Sequence, residues 1–386
     1  MTHLFDPLSI RDLAFANRVF VSPMCEYSSV DGFANDWHLV HLGSRAVGAA
    51  GLVLTEATAV LPEARISPDD LGIWSDAHVE PLARIVRFVH EQGGVAGMQL
   101  AHAGRKASTW RPWAGHGTVP ESAGGWKNVV APSALAFAEH YPMPRALTGD
   151  GIREIVAAFA AAARRACAAG FRVIEIHAAH GYLVHEFLSP LSNRRQDAYG
   201  GSFENRTRLL REVVAAVRSA WPERAAVFVR LSATDWVEGG WDVEQAVELA
   251  RGLRELGVDL VDCSSGGIVP HAAIPAGPGY QAPFAARIRR EAGVMTAAVG
   301  MITSPVQAEQ IVGTGQADAV MIARELLRDP YWPLRAAREL GQQVSWPVQY
   351  LRAAPEGAQA RVPVDLANLA ECFEEQHSVP EAGAKR

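Results

Sequence analysis

Eight short apolar runs of strand length recur along the chain with amphipathic stretches between them. This alternation restricts the fold more than any other feature. The runs are NRVFVSP (17–23), GLVLTEA (51–57), VAGMQLA (95–101), FRVIEIH (171–177), AVFVRLS (226–232), LVDCSSG (260–266), MTAAVG (295–300) and AVMIAR (319–324). Between them, segments such as IREIVAAFAAAARRACAAG (152–170) and ENRTRLLREVVAAVRSA (204–220) place apolar residues at helical spacing. Strands separated by helices rather than hairpins pair in parallel, either in a doubly wound sheet or in a closed (β/α)8 TIM barrel, and a count of eight favours the barrel. The expected organisation is a barrel over residues 1–340 and a C-terminal tail over 341–386 whose end, EQHSVPEAGAKR, reads as disordered. One connection is oversized. Residues 102–148, after the third strand, are rich in Gly, Pro, Trp and His, as expected of a lid or binding loop.

Composition removes several functions. A net charge of −6 with no basic block is a poor match to nucleic acid or an anionic membrane surface. No apolar run approaches the roughly 20 residues of a membrane span. The start, MTHLFDPLSIRDL, has an acid and a proline where a signal peptide would be apolar. The four cysteines, Cys25, Cys167, Cys263 and Cys372, are scattered with no CxxC pair, which leads us to expect reduced thiols in a soluble, cytoplasmic protein.

Strand residues alternate faces. In FRVIEIH the isoleucines Ile174 and Ile176 suit the helix layer, which turns Glu175 and His177 inward. In AVFVRLS the same split turns Arg230 inward, and in VAGMQLA it turns Gln99 inward. Gln99, His177 and Arg230 therefore converge on the C-terminal rim of the barrel, where active sites of this fold lie. His180 and Tyr182 follow directly in EIHAAHGYL (175–183).

Three uses of the histidine pair can be weighed. A metal site needs a third ligand, which HxxH alone does not supply; His102 is a candidate, and a metal-dependent hydrolase stays open on those terms. A glycosidase needs paired carboxylates, and the seventh strand ends AAVG without an acid. Two imidazoles donating to one oxygen, with a tyrosine as neighbouring proton donor, suit reduction of an activated double bond. The electrons must then come from a cofactor. No GxGxxG follows a strand. Barrels commonly hold phosphate after strands seven and eight, where Gly300 permits close backbone approach and Arg324 offers a forked cation. With Arg230 placed to offset the charge of a reduced ring, these features point to flavin mononucleotide.

At this point a resemblance can be stated. The motifs VSPMCEYS (21–28), TEATAV (55–60), QLAHAGRKA (99–107), HAAHGYLVHEFLSPLSNRRQDAYGGSFENRTR (177–208), VRLSATDW (229–236), DCSSGG (262–267), AVGMIT (298–303) and ARELLRDP (323–330) occur in this order. The chain resembles the Old Yellow Enzyme family of flavin-dependent ene-reductases, in the bacterial branch of xenobiotic reductases and YqjM-type enzymes, to about residue 352. The resemblance implies tightly bound FMN, NADPH as reductant, and ping-pong reduction of the C=C bond of electrophilic alkenes. It implies that Ser22, Pro23, Met24 and Cys25 line the flavin, with Cys25 tuning its potential, and that Ala57, Gln99 and Arg230 contact the ring. Phosphate falls to Gly266, Gly300, Ala323 and Arg324; Ala323 stands where the motif often has glycine. His177 and His180 hold the substrate oxygen, Tyr182 donates the proton and Tyr27 touches the substrate. Arg352, in PVQYLRA, is expected to enter the neighbouring subunit's site, which implies a homodimer.

Two rivals are set against this. A dienoyl-CoA reductase on the same barrel would need a cysteine cluster and an added FAD domain. A flavin-binding redox sensor using Cys25 would have no use for an oxygen clamp. Met301 and Trp236 are expected in the core, and Trp110, Trp113 and Trp126 either cap the pocket or lie on a surface loop.

Overall fold

The computed structural model describes residues 2–364. An antiparallel hairpin, β1 (Leu8–Ile10) and β2 (Leu13–Phe15), precedes eight strands that close into one parallel barrel. These are β3 (Val19–Val21), β4 (Leu52–Ala59), β5 (Val95–Ala101), β8 (Val173–Ala178), β9 (Ala226–Ser232), β10 (Leu260–Ser264), β11 (Met295–Val299) and β12 (Ala319–Ile322). The helices α1 (Asp36–Val47), α2 (Val79–Glu91), α3 (Gly149–Ala168), α5 (Phe203–Ala220), α6 (Val243–Glu255), α7 (Ala282–Ala292) and α8 (Pro305–Gly313) lie between successive strands. Short α4 (Leu183–Leu188) follows β8 and precedes α5, and α9 (Arg324–Arg328) and α10 (Trp332–Glu339) follow the last strand. The chain is a (β/α)8 TIM barrel.

Local chemistry sets the helix starts. Thr148, Ser202 and Asp242 each accept a backbone N–H from the first turn of α3, α5 and α6, satisfying a donor the helix cannot. Proline opens α8 and α10, where its missing N–H costs nothing.

Two cores result from the alternation of faces. Met98, Leu100, Ile174, Ile176, Val227, Val229 and Leu231 pack outward against the helices. Phe20, Leu52, Leu54, Val95, Val173, Phe228, Leu260 and Met321 fill the interior. Leu8, Ile10 and Phe15 of the hairpin join the interior core, with the Phe15 and Phe20 rings 5.1 Å apart. The hairpin therefore stops the end of the barrel opposite the strand C-termini.

The long connection carries two short paired strands, β6 (Val130–Ala131) and β7 (Arg145–Ala146), that close its second half into a loop. Cys25 and Cys263 carry free thiols. The state of Cys372 and the expected disorder of the last residues fall outside the described part. No helix among the described residues is long and apolar enough to cross a membrane.

Candidate active site

Above the inner core the barrel lining turns polar. Parallel register sets Gln99 beside Glu175 and, one layer up, His177 beside Arg230 beside Asp262. Gln99 donates from Nε2 to Glu175 Oε1 at 2.8 Å, and Arg230 Nε lies 2.9 Å from Asp262 Oδ2. Glu175 and Asp262 are fully buried. Burial and their mutual repulsion push Glu175 up, with Arg230 pulling the other way. One fixed cation thus faces two carboxyls in a dry interior, and the pair keeps a proton rather than a second negative charge.

The residues after β8 form a tight turn. His180 and Gly181 take successive left-handed conformations, φ 60° and 73°, and a side chain at Gly181 would meet the Gly267 carbonyl at 2.1 Å. Several groups hold the turn. The His180 N–H donates to Ser232 Oγ (3.0 Å), the Gly181 N–H to His185 Nδ1 (2.9 Å), and Lys106 Nζ to the carbonyls of His180 (2.7 Å) and Gly267 (2.6 Å). His185 is itself buried against Asp235, 2.9 Å away. Burial pushes Lys106 down to about 7, while Glu186 opposes the shift.

This turn places the His177 ring at 5.2 Å from His180 and 5.0 Å from Tyr182, both edge-on. Burial, then the Arg230 charge, holds both imidazoles well below their ordinary range, so they are neutral. The Ala179 N–H donates to His177 Nδ1 at 3.3 Å, which assigns the ring proton to Nε2 and makes that atom a donor. His180 Nε2 is engaged with Ser264 Oγ at 2.6 Å, which leaves Nδ1 for a ligand. Burial, Cys25 and Asp70 push the Tyr182 phenol well up, so it keeps its proton.

The segment after β3 forms one wall. Ser22 is buried, its N–H held by the Ile322 carbonyl at 3.0 Å and its hydroxyl without a partner among the described residues. Cys25, Trp126 and Tyr182 pack against a small buried cluster of Ile66, Ala103, Ala107 and Val129. Burial, then Asp70 and Glu56, push its thiol well up, and Tyr27 shares a hydrogen bond with it. Glu56 accepts the Glu26 N–H at 3.0 Å and lies 3.2 Å from His38, which braces the segment from behind. Trp113 meets Tyr27 edge-on at 5.6 Å. Two of the three loop tryptophans thus reach this wall, while Trp110 packs beside Gly115.

Ala57 pairs with Gln99 just past an irregularity in β4. Gly266 and Gly300, at φ 71° and 119°, follow β10 and β11, and Ala323 precedes the exposed Arg324 after β12. Arg324 has no ion-pair partner among the described residues. Pro23 and Met24 are half-buried beside Ser22, Met24 packing on the outer core. Met301 is 41% exposed at φ 50°, which corrects its core assignment: it sits in the turn after β11, where strand alternation no longer says which way a side chain faces. Trp236 is half-buried, edge-on to Phe284 at 5.5 Å. Arg352 is exposed on a segment that borders α10 and a groove of about 840 Å³ there, away from this mouth. Among the described residues no three His, Cys, Asp or Glu converge as a metal-binding group, so His177 and His180 find no third ligand.

Lys106, Ser232, Ser264 and Asp262 were missed as site residues. Ser232 and Asp262 share the inward period of their strands, a signal that was available; the loop residue Lys106 has no such period.

A buried, polar mouth with neutral donors, a protonated phenol and glycine-flanked strand ends suits a barrel oxidoreductase built around a planar anionic cofactor. The unpartnered Ser22 hydroxyl and Gln99–Arg230 floor fit a flavin ring, and the free Arg324 fits its phosphate. The model of the NADH:flavin oxidoreductase / NADH oxidase family matches residues 3–343, and the chain belongs to that family. It is an FMN-dependent oxidoreductase served by a reduced nicotinamide. It is 51% identical over 353 residues to an NADPH dehydrogenase of Geobacillus thermodenitrificans, covering 91% of this chain and 98% of the relative. An NADPH dehydrogenase of Bacillus subtilis is 49% identical over 351 residues, 90% and 98% of the two chains. Among solved structures, morphinone reductase in complex with tetrahydroNAD superposes with a TM-score of 0.73 at 31% identity, covering 90% of this chain and 93% of that one. A 2-naphthoyl-CoA reductase gives 0.79 at 25% identity over 88% of this chain, which spans only 52% of that longer protein.

Proposed function

We propose that the chain uses NADPH to reduce the C=C bond of α,β-unsaturated carbonyl and nitro compounds. The neutral His177–His180 pair beside a protonated Tyr182 carries this reading. FMN, once bound, supplies the hydride that NADPH delivers to it. Ser22, Pro23, Met24, Cys25, Ala57, Gln99 and Arg230 would hold its ring, and Gly266, Gly300, Ala323 and Arg324 its phosphate. His177 donates from Nε2, and His180 from Nδ1 when the Ser264 hydroxyl donates its hydrogen bond to Nε2. Both contacts strengthen as charge grows on the substrate oxygen. Tyr182 gives its proton to the carbon next to the activating group. Tyr27 and Trp113 border the substrate, and Cys25 stays a thiol beside the ring. NADPH and alkene use the one mouth in turn, a ping-pong sequence. Arg352 acts in the mouth of a second copy, which makes a homodimer the working unit.

The test is the visible spectrum under anaerobic NADPH and then cyclohexenone. Flavin bands should bleach and return. In His177→Ala the flavin should stay bound, a phenol should bind more weakly, and the return should slow by about 10²–10³, the usual cost of one lost oxyanion donor. Wild-type affinity and rate in that variant would end the clamp assignment.

A further inference from the structure

The family match stops at residue 343, yet residues 344–364 are folded and tied down. Trp346 and Ala360 form a parallel bridge, in which the Trp346 N–H donates to the Gln359 carbonyl (2.9 Å) and the Arg361 N–H to the Trp346 carbonyl (2.8 Å). The stretch between, with the six-residue 3-10 helix Val348–Ala353, is thereby a loop closed at its base. Arg352 lies near its far side and is exposed, as is Val348.

Arg361 secures that base. Nη1 donates to the carbonyls of Ala46 (2.7 Å), Val47 (3.2 Å) and Gln92 (3.0 Å), and Nη2 to that of Ser345 (2.9 Å). Ala46 and Val47 end α1 and Gln92 caps α2, so the guanidinium meets the last carbonyls of two helices, at the negative ends of two dipoles; the Ala46 carbonyl also accepts the Ala49 N–H at 3.0 Å. It has no carboxylate partner among the described residues. Gly93, at φ 75°, makes room for it: a Cβ there would stand 2.7 Å from the Arg361 stem. Burial lowers the guanidinium to about 10, still charged at neutral pH. One step on, the Val364 N–H bonds to the His90 carbonyl at 2.9 Å.

We propose that Arg361 is a positioning residue for the reaction. It staples the base of the 347–358 loop to the C-terminal ends of α1 and α2, and so presents Arg352 in one fixed pose to a second copy of this chain. The inference rests on the reading that Arg352 works in the neighbouring mouth. Without the staple the loop would sample many poses, and apparent substrate affinity would fall by the fraction of time the competent one is lost.

The experiment compares full-length, FMN-loaded Arg352→Ala, Arg361→Ala and Arg361→Lys with wild type. It reads KM and kcat for cyclohexenone, hydrogen exchange of amides 347–358, and the melting temperature. Arg361→Ala should raise KM about tenfold, as expected if the held pose falls to a tenth of the population. Exchange in the loop should quicken and flavin content should hold. Arg361→Lys, which can reach fewer of the four carbonyls, should fall between the two; it also serves if the alanine variant does not fold. A raised KM in Arg352→Ala with wild-type KM and exchange in both Arg361 variants would overturn the staple alone. A lowered melting temperature in Arg361→Ala with unchanged KM would reduce the residue to a brace and overturn it too. Unchanged KM in Arg352→Ala would instead bring down the reading beneath it.

Discussion

Glu186 holds a proton it would lose in water. It is fully buried, Oε1 accepts the Arg105 N–H at 2.8 Å, and Oε2 has no partner among the described residues. Burial pushes the carboxyl up to about 8, against the pull of Arg105. An unfolded chain releases this proton near its ordinary pKa of about 4.3. Between there and about 8 the folded state binds more protons, so the contribution of Glu186 to stability is full at the acid end and is lost as pH rises through the folded pKa. The expected slope is about 1.4 kcal/mol per pH unit inside the window. Glu186→Gln, which cannot ionise, should flatten the fall in melting temperature between pH 6 and pH 8; calorimetric curves that stay parallel to wild type would contradict this. The same residue shows where sequence reading stops. His177 could be turned inward from strand period alone, since its neighbours Ile174 and Ile176 claimed the other face. Glu186 sits in a loop-and-helix stretch where an acid is ordinarily solvated. Nothing in HEFLSP says that the side chain will be buried with its proton, one oxygen held by the backbone N–H of the distant Arg105.

At the level of elements, the turn from His180 to Tyr182 concentrates the risk. Gly181→Ala must force a Cβ toward the Gly267 carbonyl and strain a left-handed backbone, so it should lower the melting temperature and weaken phenol binding together. Gly201→Ala is the control: its φ is 80° but nothing lies within 4 Å of the added carbon. It should cost only the backbone strain, about 1–2 kcal/mol, and leave phenol affinity alone. Equal phenol affinity in the two variants would mean that the turn does not set the clamp. All eight strands were legible because apolar runs of that length have few other uses. Their ends were not. The run read over 17–23 pairs only from Val19 to Val21, and the rest peels away to carry Ser22 to Cys25 into the mouth. The register shift between Leu54 and Ala57 is equally invisible in TEATAV, since a bulge is a choice of backbone and not of residue type. The oversized loop was legible as a loop, but not the packing of Trp126 onto the same buried cluster as Cys25 and Tyr182.

For the molecule as a whole, the inner core is what couples strands distant in sequence. Phe228 is fully buried within it, between strands that meet only through the closed barrel. Phe228→Ala should destabilise the fold by about 3–5 kcal/mol, measured by denaturant titration, because a close-packed ring of strands cannot collapse onto the void. A loss below about 1 kcal/mol would show a looser interior than these contacts imply. The hairpin of β1 and β2 has a further effect, on traffic. By corking the barrel's far end it leaves a cul-de-sac, and everything that reaches the floor must arrive and depart through one door. Under the proposed function, reductant and oxidant would then queue. On the proposed ping-pong reading a surplus of either obstructs the other, so the rate should peak and then decline as NADPH is raised at fixed enone, a congestion imposed by the filled barrel interior and the hairpin beneath it, at the opposite end of the molecule from the chemistry.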